Sequence, residues 1–164
     1  MKHLGAIAAI CWAAIGISLP VAAQDASAPA TSGQVFRVDD SGTVVVDPEL
    51  EMQWLPAGRT GATSLVSAST RVRVQLNLAP WAGNSGRIYM TLPRTTGPTV
   101  RATWRTGGTL LPGTLISGDR SLVFAGPISR TLLWDLIDIE LEADGARLGK
   151  PEALAFGFDI EIDQ

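Results

Sequence analysis

An all-β fold, built from short antiparallel strands packed as a sandwich, is what this sequence predicts. Three observations point there. Segments such as "RVRVQLNL" (Arg71–Leu78) alternate polar and apolar residues, the period-two pattern of a strand with one buried and one solvated face. Seventeen glycines and ten prolines punctuate the chain, and the apolar runs between them recur at roughly ten-residue spacing, as in antiparallel sandwiches. Only "SRTLLWDLI" leans toward a helix, and its alternation into "DIELE" argues for strand.

The elements follow in order. Residues 1–23 carry a basic start at Lys2, an apolar run from about Leu4 to Leu19, and the small residues Val21 and Ala23 before Gln24. This is the layout of a cleaved secretory signal peptide, and the run is too short and too interrupted by Pro20 to be a membrane span. "QDASAPATSGQ" (Gln24–Gln34) is small, polar and aperiodic, a flexible lead-in. "GQVFRVDDSGTVVVDP" places Phe36, Val38, Val44 and Val46 at even positions of one extended segment. Strands are then expected at Arg71–Leu78, at Gly86–Pro93, around Val100, Ala102 and Trp104, and over "SLVFAGP". Gly107-Gly108 reads as a turn. "TLLWDLIDIELEADG" sets Ile137, Ile139 and Leu141 opposite Asp138, Glu140 and Glu142. In "ALAFGFDIEIDQ", Leu154, Phe156, Phe158, Ile160 and Ile162 share one face, and Asp159, Glu161 and Asp163 lie on the other. Residues 24–48 thus form a lead-in and front segment, and residues 49–164 one sandwich domain with no internal repeat.

Composition excludes several chemistries. His3 and Cys11 leave with the signal peptide, so the mature chain holds neither histidine nor cysteine. Disulfides, Cys/His zinc sites and any histidine-based catalytic triad are thereby ruled out. The acidic trios stand on outward strand faces without a Gly-rich liganding loop, so no metal, cofactor or catalytic residue is expected, and the protein is not read as an enzyme. "RTGGTLLPGTLISG" lacks the ending of a phosphate loop and reads as a turn-rich connection. Trp54, Trp81, Trp104 and Trp134 are candidates for a sugar-stacking platform as well as for core.

Charge is distributed in blocks. Residues 24–58 hold six acids and one arginine, residues 59–130 nine arginines and one acid, and residues 131–164 nine acids against Arg147 and Lys150. Folding can interleave these blocks, or an acidic end of one copy can be steered to the basic middle of another. The acidic thirds argue against nucleic acid as a partner.

The strongest strand, Leu154–Ile162, is the last one, where an immunoglobulin-like sandwich would continue into one more strand beside it. An open apolar edge is an aggregation site unless covered. The front of the chain carries one extended segment too many. Its Phe36, Val38, Val44 and Val46 are therefore candidate donor-strand residues, and Leu154, Phe156, Phe158, Ile160 and Ile162 the edge of an acceptor groove. Whether the front pairs with its own last strand or with a neighbour's stays open. Asp47 and Pro48 read as a rigid joint, since proline ends a ladder and holds the preceding residue extended.

"TVVVDPELEMQWLPAG" (Thr43–Gly58) resembles the start of mature alpha-clade, colonisation-factor type chaperone–usher pilins: a β-branched run, Val46-Asp47-Pro48, then alternation through Leu50, Met52 and Trp54. The final apolar strand, the leader and the absence of mature cysteine are similar too. The front segment before Thr43 is longer, and arginine and tryptophan more abundant, than in a major subunit of that kind. The resemblance implies a structural subunit of an adhesive surface fimbria, exported to the periplasm and then the cell surface. It implies donor-strand exchange with other pilin subunits, through a periplasmic chaperone and an outer-membrane usher. A secreted carbohydrate-binding sandwich, or a periplasmic sandwich that completes its own sheet, are the alternatives.

Overall fold

A computed structural model describes residues 34–46, 50–55, 64–147 and 155–163, and over these the chain is all-β with antiparallel pairing throughout. Ten strands form: β1 (Val35–Arg37), β2 (Val44–Val45), β3 (Gln53–Trp54), β4 (Leu65–Asn77), β5 (Ser85–Thr91), β6 (Arg101–Thr106), β7 (Gly113–Ile116), β8 (Arg120–Pro127), β9 (Leu132–Asp144) and β10 (Gly157–Ile162). One sheet runs in the order β1-β10-β5-β8. The other runs β2-β4-β9-β6-β7, with β3 also on β4. The expected signal peptide, the Asp47-Pro48 joint and Leu154 lie outside the described residues.

The alternation read from the sequence fixes which side chains meet. Along β4, Val66, Ala68, Thr70, Val72, Val74 and Leu76 point inward, and on β9 so do Leu133, Ile137, Ile139 and Leu141. The two strands pair over their whole lengths, Leu65 opposite Asp144 and Asn77 opposite Leu132. From the other sheet come Ile88, Met90, Val123, Phe158 and Ile160, and both sheets feed one hydrophobic cluster, as a β-sandwich requires. Fully burying each such side chain contributes roughly 1.5–3 kcal/mol. Trp104 is buried at the centre with its indole N–H donating to the Leu111 carbonyl at 2.9 Å, so its polar tip is satisfied.

Several elements differ from the sequence expectation. β4 begins at Leu65, earlier than its arginine-flanked alternation suggested. β7 forms within the Gly- and Pro-rich stretch read as connection, because it needs only four residues to pair with β6. Leu50 and Met52 pack on the core, yet only Gln53–Trp54 of that alternating run forms a strand. Asp135 breaks the inward pattern of β9. Its buried carboxylate accepts the backbone N–H groups of Leu110 at 2.8 Å and Leu136 at 2.7 Å. A buried carboxylate is tolerated when such donors satisfy it, and here it ties the 107–110 turn to β9.

Candidate functional site: the covered edge of the last strand

β10 is flanked by β5 on one side and by β1 on the other. β1 lies antiparallel along it, with Val35 opposite Glu161, Phe36 opposite Ile160 and Arg37 opposite Asp159. One further rung follows, Val38 N–H to the Phe158 carbonyl at 2.8 Å. The front segment of the same chain therefore occupies the edge that the sequence left open.

Alternation decides what β1 contributes. Phe36 is half-buried against the core, its ring 6.0 Å from that of Trp81. Val38 is 1% exposed and belongs to the core. Val35 and Arg37 face outward. Arg37 reaches Asp159 at 3.5 Å, Asp40 at 3.6 Å and the Thr91 hydroxyl at 3.4 Å. Its guanidinium crosses above Gly157, where a Cβ would overlap it. A side chain at that position would have to push the arginine aside.

The four candidate donor residues do not share one face. After Val38 the chain turns. The Asp39 carboxylate accepts the Ser41 backbone N–H at 3.1 Å and Thr43 N–H donates to the Asp40 carbonyl at 2.8 Å, a short Asx-type reversal. The turn carries Val44 and Val46 to the other sheet. There Val44 pairs with Arg73 and Val45 with Val72 on the edge of β4, and Val46 N–H reaches the Arg71 carbonyl. Val44 and Val46 are 45% and 50% exposed. Of the expected donors, Phe36 and Val38 line the last strand, and Val44 and Val46 do not. The segments that flank the joint, whose own residues lie outside the described ones, also differ from the expectation. β2 and β3 follow one another along the same edge of β4, at Arg73–Val72 and then Ser67–Val66, so both sides of Asp47-Pro48 belong to one sheet. Among the expected edge residues, Phe158 and Ile160 are fully buried, and Phe156 and Ile162 are partly buried against the core.

The acidic trios stand outward as expected, and arginines of the middle block meet them. Arg71 contacts Asp138 at 2.7 Å, Arg120 contacts Glu161 at 2.7 Å, and Arg87 contacts Asp163 at 3.0 Å. The blocks interleave within one chain. The Arg120 hydrogen bond holds the Glu161 carboxyl below its ordinary range. The same guanidinium lies 4.4 Å over the Tyr89 ring, a cation–π contact. Burial, followed by the charge of Glu161, raises the Tyr89 phenol.

No protein-family model matches the chain, and no curated protein matches it. Among the described residues there is no group of three or more Asp, Glu, His or Cys that could hold a metal ion. Among them too, no helix is long and apolar enough to cross a membrane.

The tryptophans separate. Trp104 is core, Trp81 packs on Phe36, and Trp54 and Trp134 are 64% and 68% exposed. Trp54 sits opposite Val66 and Trp134 opposite Gln75. At about 3.3 Å per residue of β4, the two exposed rings are far apart and cannot form one platform.

Proposed function

We propose that this chain is an exported structural subunit of a surface fimbria, assembled when the front segment of one copy completes the sheet of another. The observation that carries this reading is the seat of β1, whose attachment to the last strand runs through a few rungs and two apolar side chains, Phe36 and Val38. The strand order supports an immunoglobulin-like assignment. β2/β3-β4-β9-β6 follows the A-B-E-D order, β5 and β10 stand as C and F, and β1 takes the edge where a seventh strand would run. Exchanging an identical segment between copies replaces one set of contacts with the same set, so it carries little net energetic penalty. A periplasmic chaperone and an outer-membrane usher are the partners that such an assembly line requires.

The test is the size of the exported protein. Surface extracts run without boiling should give ladders of the chain that collapse to monomer on boiling. Monomer alone in both lanes would overturn the reading. It would leave the self-completed sandwich, the second reading, which is favoured by β1 lying on the last strand of its own chain.

A further inference from the structure

We propose that the outer face of the β4/β9 pair binds the ring of a neutral hexopyranose, with Trp134 as its platform and the adjoining cleft of Asp39, Gln75 and Asn77 as its hydrogen-bonding wall. The cleft measures about 290 Å³ and is lined by Asp39, Ser41, Gly42, Gln75, Asn77 and Leu132, among others. That is just under the usual range for ligand pockets, roughly 300–1,000 Å³, a size for a single sugar ring and not for a longer ligand. Trp134 stands directly opposite Gln75 across the ladder, and Leu132 opposite Asn77. Trp134, exposed and outside the lining itself, is therefore the cross-strand neighbour of one lining residue and two positions along β9 from another.

The chemistry of the two halves is complementary to one class of ligand. A pyranose presents an apolar face of C–H groups, which the negative face of an aromatic ring attracts, and an edge of hydroxyls that both donate and accept. The cleft supplies acceptors and donors of matching kind. One Asp39 oxygen accepts the Ser41 N–H and the other faces the Asn77 amide at 3.5 Å. The side-chain amide oxygen of Asn77, Oδ1, in turn accepts the Ala79 N–H at 3.2 Å. These local bonds fix the orientation of both side chains and leave lone pairs and amide hydrogens over. Hydrogen bonds from Ser41, then from Asn77, hold the Asp39 carboxyl below its ordinary range, so it stays an acceptor and disfavours acidic sugars. Gly42 is part of the construction. A Cβ there would lie 2.6 Å from the Gln75 amide, so the absence of a side chain lets that amide lie along the wall.

This inference does not rest on the fimbrial reading, since a monomer carries the whole site. The experiment titrates isotopically labelled mature chain with the methyl glycosides of glucose, galactose and mannose, following the indole N–H signals by NMR. One of the three should shift the Trp134 signal saturably at millimolar concentration and leave Trp104 unmoved. Trp134→Ala should weaken binding at least about tenfold with the fold retained. Asn77→Ala should weaken it less, and Trp54→Ala not at all. No saturable shift with any glycoside would overturn the proposal, as would binding that survives Trp134→Ala. If Trp134→Ala instead converts a sedimenting dimer to monomer with no glycoside response, the Leu132–Trp134–Leu136 stripe is a contact between copies and the proposal fails.

Discussion

β1 and β2 are neighbours in sequence, both short and both carrying strand-forming residues, yet they end in opposite situations. The residue that follows β1, Val38, enters the core, whereas the valines of β2 remain about half exposed. The difference lies in what each strand finds on its partner. β1 lies along β10, whose Phe158 and Ile160 face the core, and Phe36 gains Trp81 as a lid. β2 lies on the rim of β4, beside Arg71 and Arg73. Apolar composition made both segments candidate donors. The seat, not the composition, distinguishes them.

The largest effect expected from this contrast is at Val38. Val38→Asp places a charge with no partner in the core and should destabilise the chain by about 3–5 kcal/mol, read by urea unfolding. Val44→Asp and Val46→Asp at the exposed edge should stay within about 0.5 kcal/mol. Equal losses at all three positions would erase the distinction between the two segments. A smaller effect is expected at Gly157. Gly157→Ala should displace the Arg37 guanidinium, lower stability by under about 1 kcal/mol, since the displaced contacts are solvent-exposed, and speed hydrogen exchange of the Val38 N–H. Adding Arg37→Ala should relieve the overlap, so an additive double variant would argue against that contact.

The smallest effect is the response to acid. The native carboxyl of Glu161 titrates below its ordinary value of 4.5, so the unfolded chain binds its proton first. The Arg120–Glu161 contact is therefore fully stabilising above that ordinary value and is lost as pH falls through the lowered native one. Unfolding free energy should decline with acid in that window, and Glu161→Gln should flatten the decline. An unchanged slope in the variant would detach β10 from this ion pair.

Much of the fold was legible because alternation is a local signal. β9 and β10 could be read from their own residues, and so could the outward acids and the strand at Arg71–Leu78. What escaped depends on distant partners. β7 exists because β6 offers it a ladder, and the inward Asp135 is tolerated because the 107–110 turn supplies an N–H from far along the chain. The face shared by Phe36, Val38, Val44 and Val46 failed for a local reason that was partly visible. "DDSG" is turn chemistry, and a turn between Val38 and Val44 sends the two pairs to different sheets. The tryptophans could not be sorted from sequence, since each sits in an alternating run and only packing separates core Trp104 from exposed Trp134.

The antiparallel register of β1 on β10 also sets how this edge answers a mechanical load. Val35 lies opposite Glu161, so residues 34 and 163 emerge at the same end of the pair. Tension between them bears on one rung at a time and peels β1 away from Val35 inward, as a zip opens. A pull along the strands would instead load every rung together and shear them at once. Val38, the most deeply seated residue of the segment, is then the last to leave, and the Asp39–Thr43 turn behind it is where peeling stops.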